Sequence, residues 1–400
     1  MSQSQLNLNQ IFSQYLQKKS VFKNKESLTD HYVPEQIVHR EDEIKQIAEI
    51  LAPCLRDEKT SNIFLYGTVG TGKSVSMRRV AAELEQVSPI VKILYVNCKM
   101  KRVSDTEYRL LAELIKKLGH VVPPTGLPTD HIYRIFFEIV DSEKRNIIVV
   151  LDEIDALIKK TGDEILYNLT RINQDLEKSK LSIIGISNNA SFADSLEPRV
   201  KSSLSEEEII FSPYDANQLR DILKERAREA FNEGVLDESV IAKCAALAAQ
   251  EHGDARRALD LLRMAGEIAE RSGGVRVTTK YVDMAEEKLD TDRTEEIIKK
   301  QPRQSQAVMS AIIKLSEEGH REIQTGDVFM CYEKICRPVG LKPLTQRRIS
   351  DLVGELDMLG IINARVISKG RYGRTREICI LLGKPAMEKI KKVLRERYLL

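Results

Sequence analysis

The chain has 400 residues, 42% apolar and 30% charged, so two or three folded domains are expected and extensive disorder is not. No run approaches the roughly 18–20 apolar residues of a membrane helix, and the opening MSQSQLNLNQ has no basic stretch leading into an apolar one, so neither a membrane partner nor a secretory signal is expected. The net charge of +2 conceals an asymmetry: residues 301–400 carry 19 Lys and Arg against 11 Asp and Glu, a balance of +8 that leaves −6 for the first 300. Such a split suggests that the C-terminal part meets a polyanion, with chance asymmetry of a solvated surface as the alternative.

In chain order, four short apolar runs come first: NIFLYG (62–67), VKILYVN (91–97), NIIVVLD (146–152) and LSIIGISN (181–188). Each is continuous rather than alternating, as in strands buried on both faces of a parallel sheet. The segments between them are long enough for crossover helices, which predicts an α/β layered architecture. The residues ending these runs, Gly67, Asn97, Asp152 and Asn188, are expected on one rim, where such sheets bind ligands. A proline-rich stretch, GHVVPPTGLPTD (119–130), interrupts the pattern. From about residue 213 the strand signal stops, and amphipathic helices run to Gly273 and Gly274. The charged stretch 286–302 continues as a helix or linker up to Pro302.

The last hundred residues predict a helix over QSQAVMSAIIKLSEEG and another over LTQRRISDLVGELDMLG. In the second, Ile349, Leu352, Val353, Leu356 and Leu359 form one stripe, Thr345 is the N-cap and Gly360 the stop. Two strands follow, INARVIS and EICILL, joined by the cationic KGRYGRTR. Helix, helix and hairpin is the order of a winged helix-turn-helix. The six cysteines lack CxxC spacing, so neither zinc nor a disulfide framework is implied, and a reducing intracellular setting fits.

The most specific chemistry lies in GTVGTGKS (67–74), which fits GxxxxGK[ST] between a strand and a helix. Gly67, Thr68, Gly70, Thr71, Gly72 and Val75 belong to a loop and helix start whose amides can surround phosphate oxygens. Lys73 can reach the β- and γ-phosphates, and Ser74 can ligate Mg²⁺. Asp152 ends a buried strand and can hold the same Mg²⁺, while Glu153 can activate water. Asn188 can position the γ-phosphate or that water, although Asn is also common in turns. Asp254 reads as a helix N-cap followed by Arg256 and Arg257, two cations that oppose the helix dipole. A bound phosphate would offset that cost, with Arg256 the expected contact; simple surface solvation is the alternative.

With these motifs in order, and with EPRVKSSL (197–204) and the winged helix added, the chain resembles the AAA+ ATPases, and among them the archaeal Orc/Cdc-type replication initiators. The resemblance covers about residue 31 to the end. It implies a multidomain fold: an AAA+ parallel αβα sheet over 1–212, a small helical lid over 213–295 and a C-terminal winged helix over 296–400. The first ~15 residues are expected to be mobile. It implies ATP/ADP and Mg²⁺ as cofactors, with Lys73 and Ser74 as the Walker A pair, Asp152 and Glu153 as the Walker B pair, Asn188 as sensor one and Arg256 as sensor two. Val38, His39 and Arg40 match the segment lining the adenine, and Tyr214 is a further nucleotide contact. EPRVKSSL matches the box that sends a basic residue to a neighbour's γ-phosphate; its usual final arginine is Ser203 here, leaving Arg199 and Lys201 as substitutes. The interruption after residue 100 falls where these initiators carry a helical insertion that touches DNA.

The cationic tip then reads as a wing. Arg371 would enter a minor groove. Gln346, Arg347 and Arg348 would face bases in the major groove. Lys369, Arg374 and Arg376 would meet phosphates, and Tyr372 would pack on sugar or on the hairpin. The resemblance implies an ATP-dependent initiator that binds double-stranded origin DNA, recruits or loads the MCM helicase, meets other initiator copies on DNA and hydrolyses ATP slowly as a switch. It would be cytoplasmic and nucleoid-associated. A branch-migration-type DNA motor and a regulatory NTPase that binds DNA or protein are the alternatives.

Overall fold

A computed structural model describes residues 19–100, 105–123, 125–189, 192, 196–204, 207–320, 323–368 and 374–398. The expectation for the first residues, and those for Lys369, Arg371 and Tyr372, lie outside them, as does the side chain of Arg374. The chain divides into two units, Met1–Val282 and Asp283–Leu400.

In the first unit the four predicted strands form as β1 (Ile63–Tyr66), β2 (Val91–Asn97), β3 (Asn146–Asp152) and β4 (Lys180–Ser187). A fifth, β5 (Glu207–Ile210), completes a parallel sheet of order β2-β3-β4-β1-β5. Sequence reasoning missed β5 because it is a short edge strand whose Glu207, Glu208 and Ile210 are exposed; it lacks the continuous apolar signal of the inner strands. Along β3, Ile147, Val149 and Leu151 join one apolar core and Ile148 and Val150 the other, so both faces are covered. Helices α1 (Glu41–Leu51) and α2 (Lys73–Val87) lie on one face. On the other lie α3 (Glu107–Lys117), α4 (Thr129–Val140), α5 (Ile154–Thr161), α6 (Glu164–Arg171) and α7 (Pro198–Leu204). The proline-rich interruption connects α3 to α4, both inside the β2–β3 crossover. Three amphipathic helices follow: α8 (Ala216–Ala230), α9 (Glu238–Gln250) and α10 (Ala255–Arg271). The charged stretch after Gly274 is helical, as part of α11 (Thr279–Lys300), and the division between units falls within that helix.

The second unit has its own core, built by α12 (Arg303–Glu317), α13 (Thr325–Cys336), α14 (Gln346–Met358) and α15 (Lys384–Tyr398). Strands β6 (Ile323–Gln324), β7 (Ile362–Ser368) and β8 (Arg374–Ile380) form an antiparallel sheet of order β6-β8-β7. The turn at Pro302 is held by buried Gln306, whose amide donates to the carbonyls of Ile298 (3.0 Å) and Gln301 (3.1 Å) that end α11. In α14, Ile349, Leu352, Val353 and Leu356 are buried, whereas Leu359 is 40% exposed because it lies past the last turn. Thr345 Oγ1 accepts from the Arg348 amide, and Gly360 stops the helix at φ +69°.

Candidate functional site

The chain leaves β1 and turns through residues 67–72 into α2. Gly70 and Gly72 have φ of +76° and +95°, where a side chain is strained. Space forbids one too: a Cβ on Gly70 would lie 1.6 Å from Asp254 Oδ1, and one on Gly72 2.6 Å from the Tyr214 hydroxyl. The loop is thus pressed against the residues that begin the helical segment. Asp254 caps α10 by accepting from the Arg256 and Arg257 amides. The Ala255 amide donates back to the Gly70 carbonyl at 3.2 Å.

Lys73 is 5% exposed. Its ammonium donates to the carbonyls of Gly67 (2.8 Å) and Thr68 (2.7 Å). Burial, and then the Arg256 guanidinium, push its pKa down to about 8. A cation so held would be better satisfied by an anionic oxygen. At the end of β3, Asp152 Oδ2 accepts from the Tyr95 hydroxyl at 2.5 Å. Burial and the Asp152 charge raise the Tyr95 phenol well above its ordinary range. Glu153 has φ +56°, uncommon for a non-glycine residue, and its carboxylate pairs with Lys99 at 3.1 Å.

A cavity of about 440 Å³ joins these pieces. Gly70, Thr71, Gly72, Lys73, Ser74 and Val75 line it, as do Asp152, Glu153 and Asn188 at the strand ends. Val38, Tyr214 and Arg256 contribute from elsewhere in the chain. Gly67 and Thr68 are outside the lining and give their carbonyls to Lys73. The structure separates neighbours that sequence could not: Asn188 lines the cavity and Asn189 does not, and Arg256 lines it while Arg257 pairs with Glu251 at 3.2 Å.

His39 and Arg40, expected beside the base, are not in the lining. His39 hydrogen-bonds Asp221 of α8 at 3.1 Å. Arg40 is buried behind the phosphate loop: Nε donates to the Thr71 carbonyl at 2.8 Å, Nη2 to Ser212, and the guanidinium lies 4.0 Å from the Tyr214 ring centroid. A fork of fixed donors suits those carbonyls, which is why the side chain turns inward. Sequence reasoning also missed Arg78, which lines the cavity and lies over the Tyr95 ring at 4.5 Å. The available signal was its position four residues after Ser74, on the same helix face.

Arg199 and Lys201 lie on α7 and are not in this lining. Arg199 pairs with Glu197 at 2.8 Å and approaches the Tyr167 ring.

Comparison with known proteins places these observations. Residues 56–190 match the AAA domain, 220–287 the Cdc6 AAA+ ATPase-type lid domain, and 296–389 the CDC6 C-terminal winged helix domain. The ORC1-type DNA replication protein of Thermococcus onnurineus is 55% identical over 379 residues, spanning 93% of this chain and 91% of that one. That of Pyrococcus furiosus is 52% identical over 402 residues, spanning 98% and 94%. The chain belongs to the ORC1-type DNA replication proteins.

The structure of the Aeropyrum pernix ORC1 protein in complex with DNA superposes with a TM-score of 0.80 at 44% identity, covering 96% of this chain and all of that one. The AAA match makes this a nucleotide-binding, ATPase-type chain. No described helix is long and apolar enough to cross a membrane.

In the winged-helix unit of this ORC1-type chain, Gln346, Arg347 and Arg348 are exposed on the first turn of α14. Arg348 is engaged with Asp351 (3.6 Å) and Glu355 (3.3 Å) on the same helix. Arg376 approaches α14 at Gly354, where a Cβ would lie 2.7 Å from its Nη1.

Gly70→Ala is expected to destabilise the first unit by about 1–2 kcal/mol from backbone strain alone. It should also weaken ADP binding at least tenfold, because the added methyl displaces the Asp254 cap. Chemical denaturation and ADP titration check the two effects separately.

Proposed function

We propose that this ORC1-type chain is an ATP-dependent replication initiator that binds double-stranded origin DNA and helps recruit or load the replicative MCM helicase. The observation that carries the reading is the meeting of loop and lid at one cavity: Gly70 and Lys73 come from the sheet side, Ala255 and Arg256 from the helical side. Whatever binds Lys73 and Arg256 together biases the lid, so nucleotide state becomes a conformational signal.

Ser74 and Asp152 both line the cavity, and a hydroxyl with a carboxylate is a donor set suited to Mg²⁺. Mg²⁺ there would offset phosphate charge. Lys73 holds the phosphates, Glu153 accepts a proton from the attacking water, Asn188 orients that water and Arg256 meets the terminal phosphate. The Lys99 ammonium occupies the Glu153 carboxylate at 3.1 Å and would have to release it before that carboxylate can take a proton from water, which supports slow hydrolysis used as a switch. Val38 and Tyr214 bound the remainder of the nucleotide.

On DNA, Gln346, Arg347 and Arg348 read the major groove, Arg371 enters the minor groove, and Lys369, Tyr372 and Arg374 hold the backbone. Arg199 or Lys201 serves a neighbouring initiator copy in trans. The place of action is the cytoplasm, at the nucleoid.

The test is a footprint of the full chain on DNA flanking its own gene, with excess competitor, for wild type and Arg371→Ala. Discrete protected repeats that weaken in the variant support sequence-directed initiator binding. Uniform, salt-sensitive binding with no preferred site would favour the motor or regulatory NTPase instead.

A further inference from the structure

Residues 20–40 reach both walls of the nucleotide cavity. At one end they are bound to the lid. The Lys23 and Asn24 amides donate to the Ala230 carbonyl at 2.8 and 3.1 Å, and the Asn232 amide donates to Val21 at 3.0 Å. The Phe22 ring lies 4.8 Å from that of Phe231. It fills a notch that exists because α10 carries Gly266, where a Cβ would stand 2.4 Å from Phe22 Cζ. Lys25 pairs with Glu267 at 2.7 Å. Further along, Arg226 donates to the Tyr32 carbonyl at 3.3 Å and lies over its ring at 4.7 Å. Thr29 to Val38 then line the cavity, and at the far end Arg40 grips Thr71 of the phosphate loop.

Phe22 itself does not line the cavity. We propose that residues 20–40 are a strap tying the lid to the phosphate loop, and that Phe22 is a positioning residue for the nucleotide. The proposal rests on the nucleotide reading above. The physical reason is chain entropy. Residues 30–40 have no helix or strand to fix them, so their path is set by where they are anchored. With the Phe22 anchor lost, the wall samples many conformations, and apparent affinity falls with the fraction that completes the site. By reciprocity, a nucleotide touching the wall tightens the anchor on the lid.

The test titrates ADP into the full chain for wild type, Phe22→Ala, Phe22→Leu and Gly266→Val, and measures hydrogen exchange with and without ADP. Expected are at least tenfold weaker ADP binding in Phe22→Ala and Gly266→Val, near-normal binding in Phe22→Leu, and slower exchange at the Lys23 and Asn24 amides of wild type when ADP is bound. A purely structural Phe22 would lower the melting temperature of the nucleotide-free protein but leave ADP affinity and the exchange of those amides unchanged, which overturns the proposal. If wild type binds no ADP, the nucleotide reading itself fails and the strap proposal with it. Tight ADP binding by wild type with unaltered Phe22→Ala affinity overturns the strap alone.

Discussion

Lys73→Met is expected to lower ADP and ATP affinity by at least a hundredfold, about 3 kcal/mol, with the fold retained. Two opposing terms keep the fold. The substitution removes the desolvation that depresses Lys73, and it strands the Gly67 and Thr68 carbonyls that the ammonium now satisfies. Titration calorimetry with ADP and a thermal melt of the nucleotide-free protein give the two numbers.

The same residue fixes a pH dependence. Folded Lys73 titrates at about 8, below its ordinary 10.5, so the unfolded chain holds more protons between those values. Nucleotide-free stability therefore gains from Lys73 as pH rises from about 8 towards 10.5, by roughly 3 kcal/mol at most. Binding has the opposite sign. A phosphate beside the ammonium restores its pKa, so above pH 8 binding takes up a proton and affinity falls by up to about tenfold per pH unit. Calorimetry at pH 8.5 in two buffers of different ionisation enthalpy measures that proton. No uptake there would mean that Lys73 does not meet phosphate.

Arg40→Ala is expected to cost about 3–5 kcal/mol of stability in the first unit. The side chain is 5% exposed, pairs with Glu43 at 2.9 Å, donates to Thr71 and Ser212, and lies over the Tyr214 ring. Removing it leaves those groups buried without their donor and a void against the aromatic rings. Nucleotide affinity should fall as well, because Thr71 loses its support. Chemical denaturation separates this from a role at the base. An arginine that only touched the adenine would change affinity and leave the denaturation midpoint of the nucleotide-free protein in place.

What could be read directly from the sequence was chemistry carried by adjacent residues. Gly70, Gly72, Lys73 and Ser74 read as a phosphate loop because such a loop needs those residue types at that spacing. Asp152 and Glu153 declare themselves by ending an apolar run, and Asp254 by preceding a helical repeat. The inner strands were legible because burial on both faces forces continuous apolar runs. So was the stripe on α14, because one buried helix face repeats every three to four residues.

The tertiary structure decided what depends on residues far apart in the chain. β5 is a strand only because β1 offers it an edge at Ile63–Tyr66. Arg256 and Arg257 are adjacent in the sequence, and only the fold separates them: Arg256 lines the cavity while Arg257 pairs with Glu251. Arg40 turns behind the loop because Thr71, Ser212 and Tyr214 converge there from segments more than thirty and more than a hundred and seventy residues away. The Phe22 notch needs Gly266 opposite it, some two hundred and forty residues on. No local pattern encodes such pairings, because the free energy that selects them is packing and hydrogen bonding between surfaces that meet only once the chain has folded.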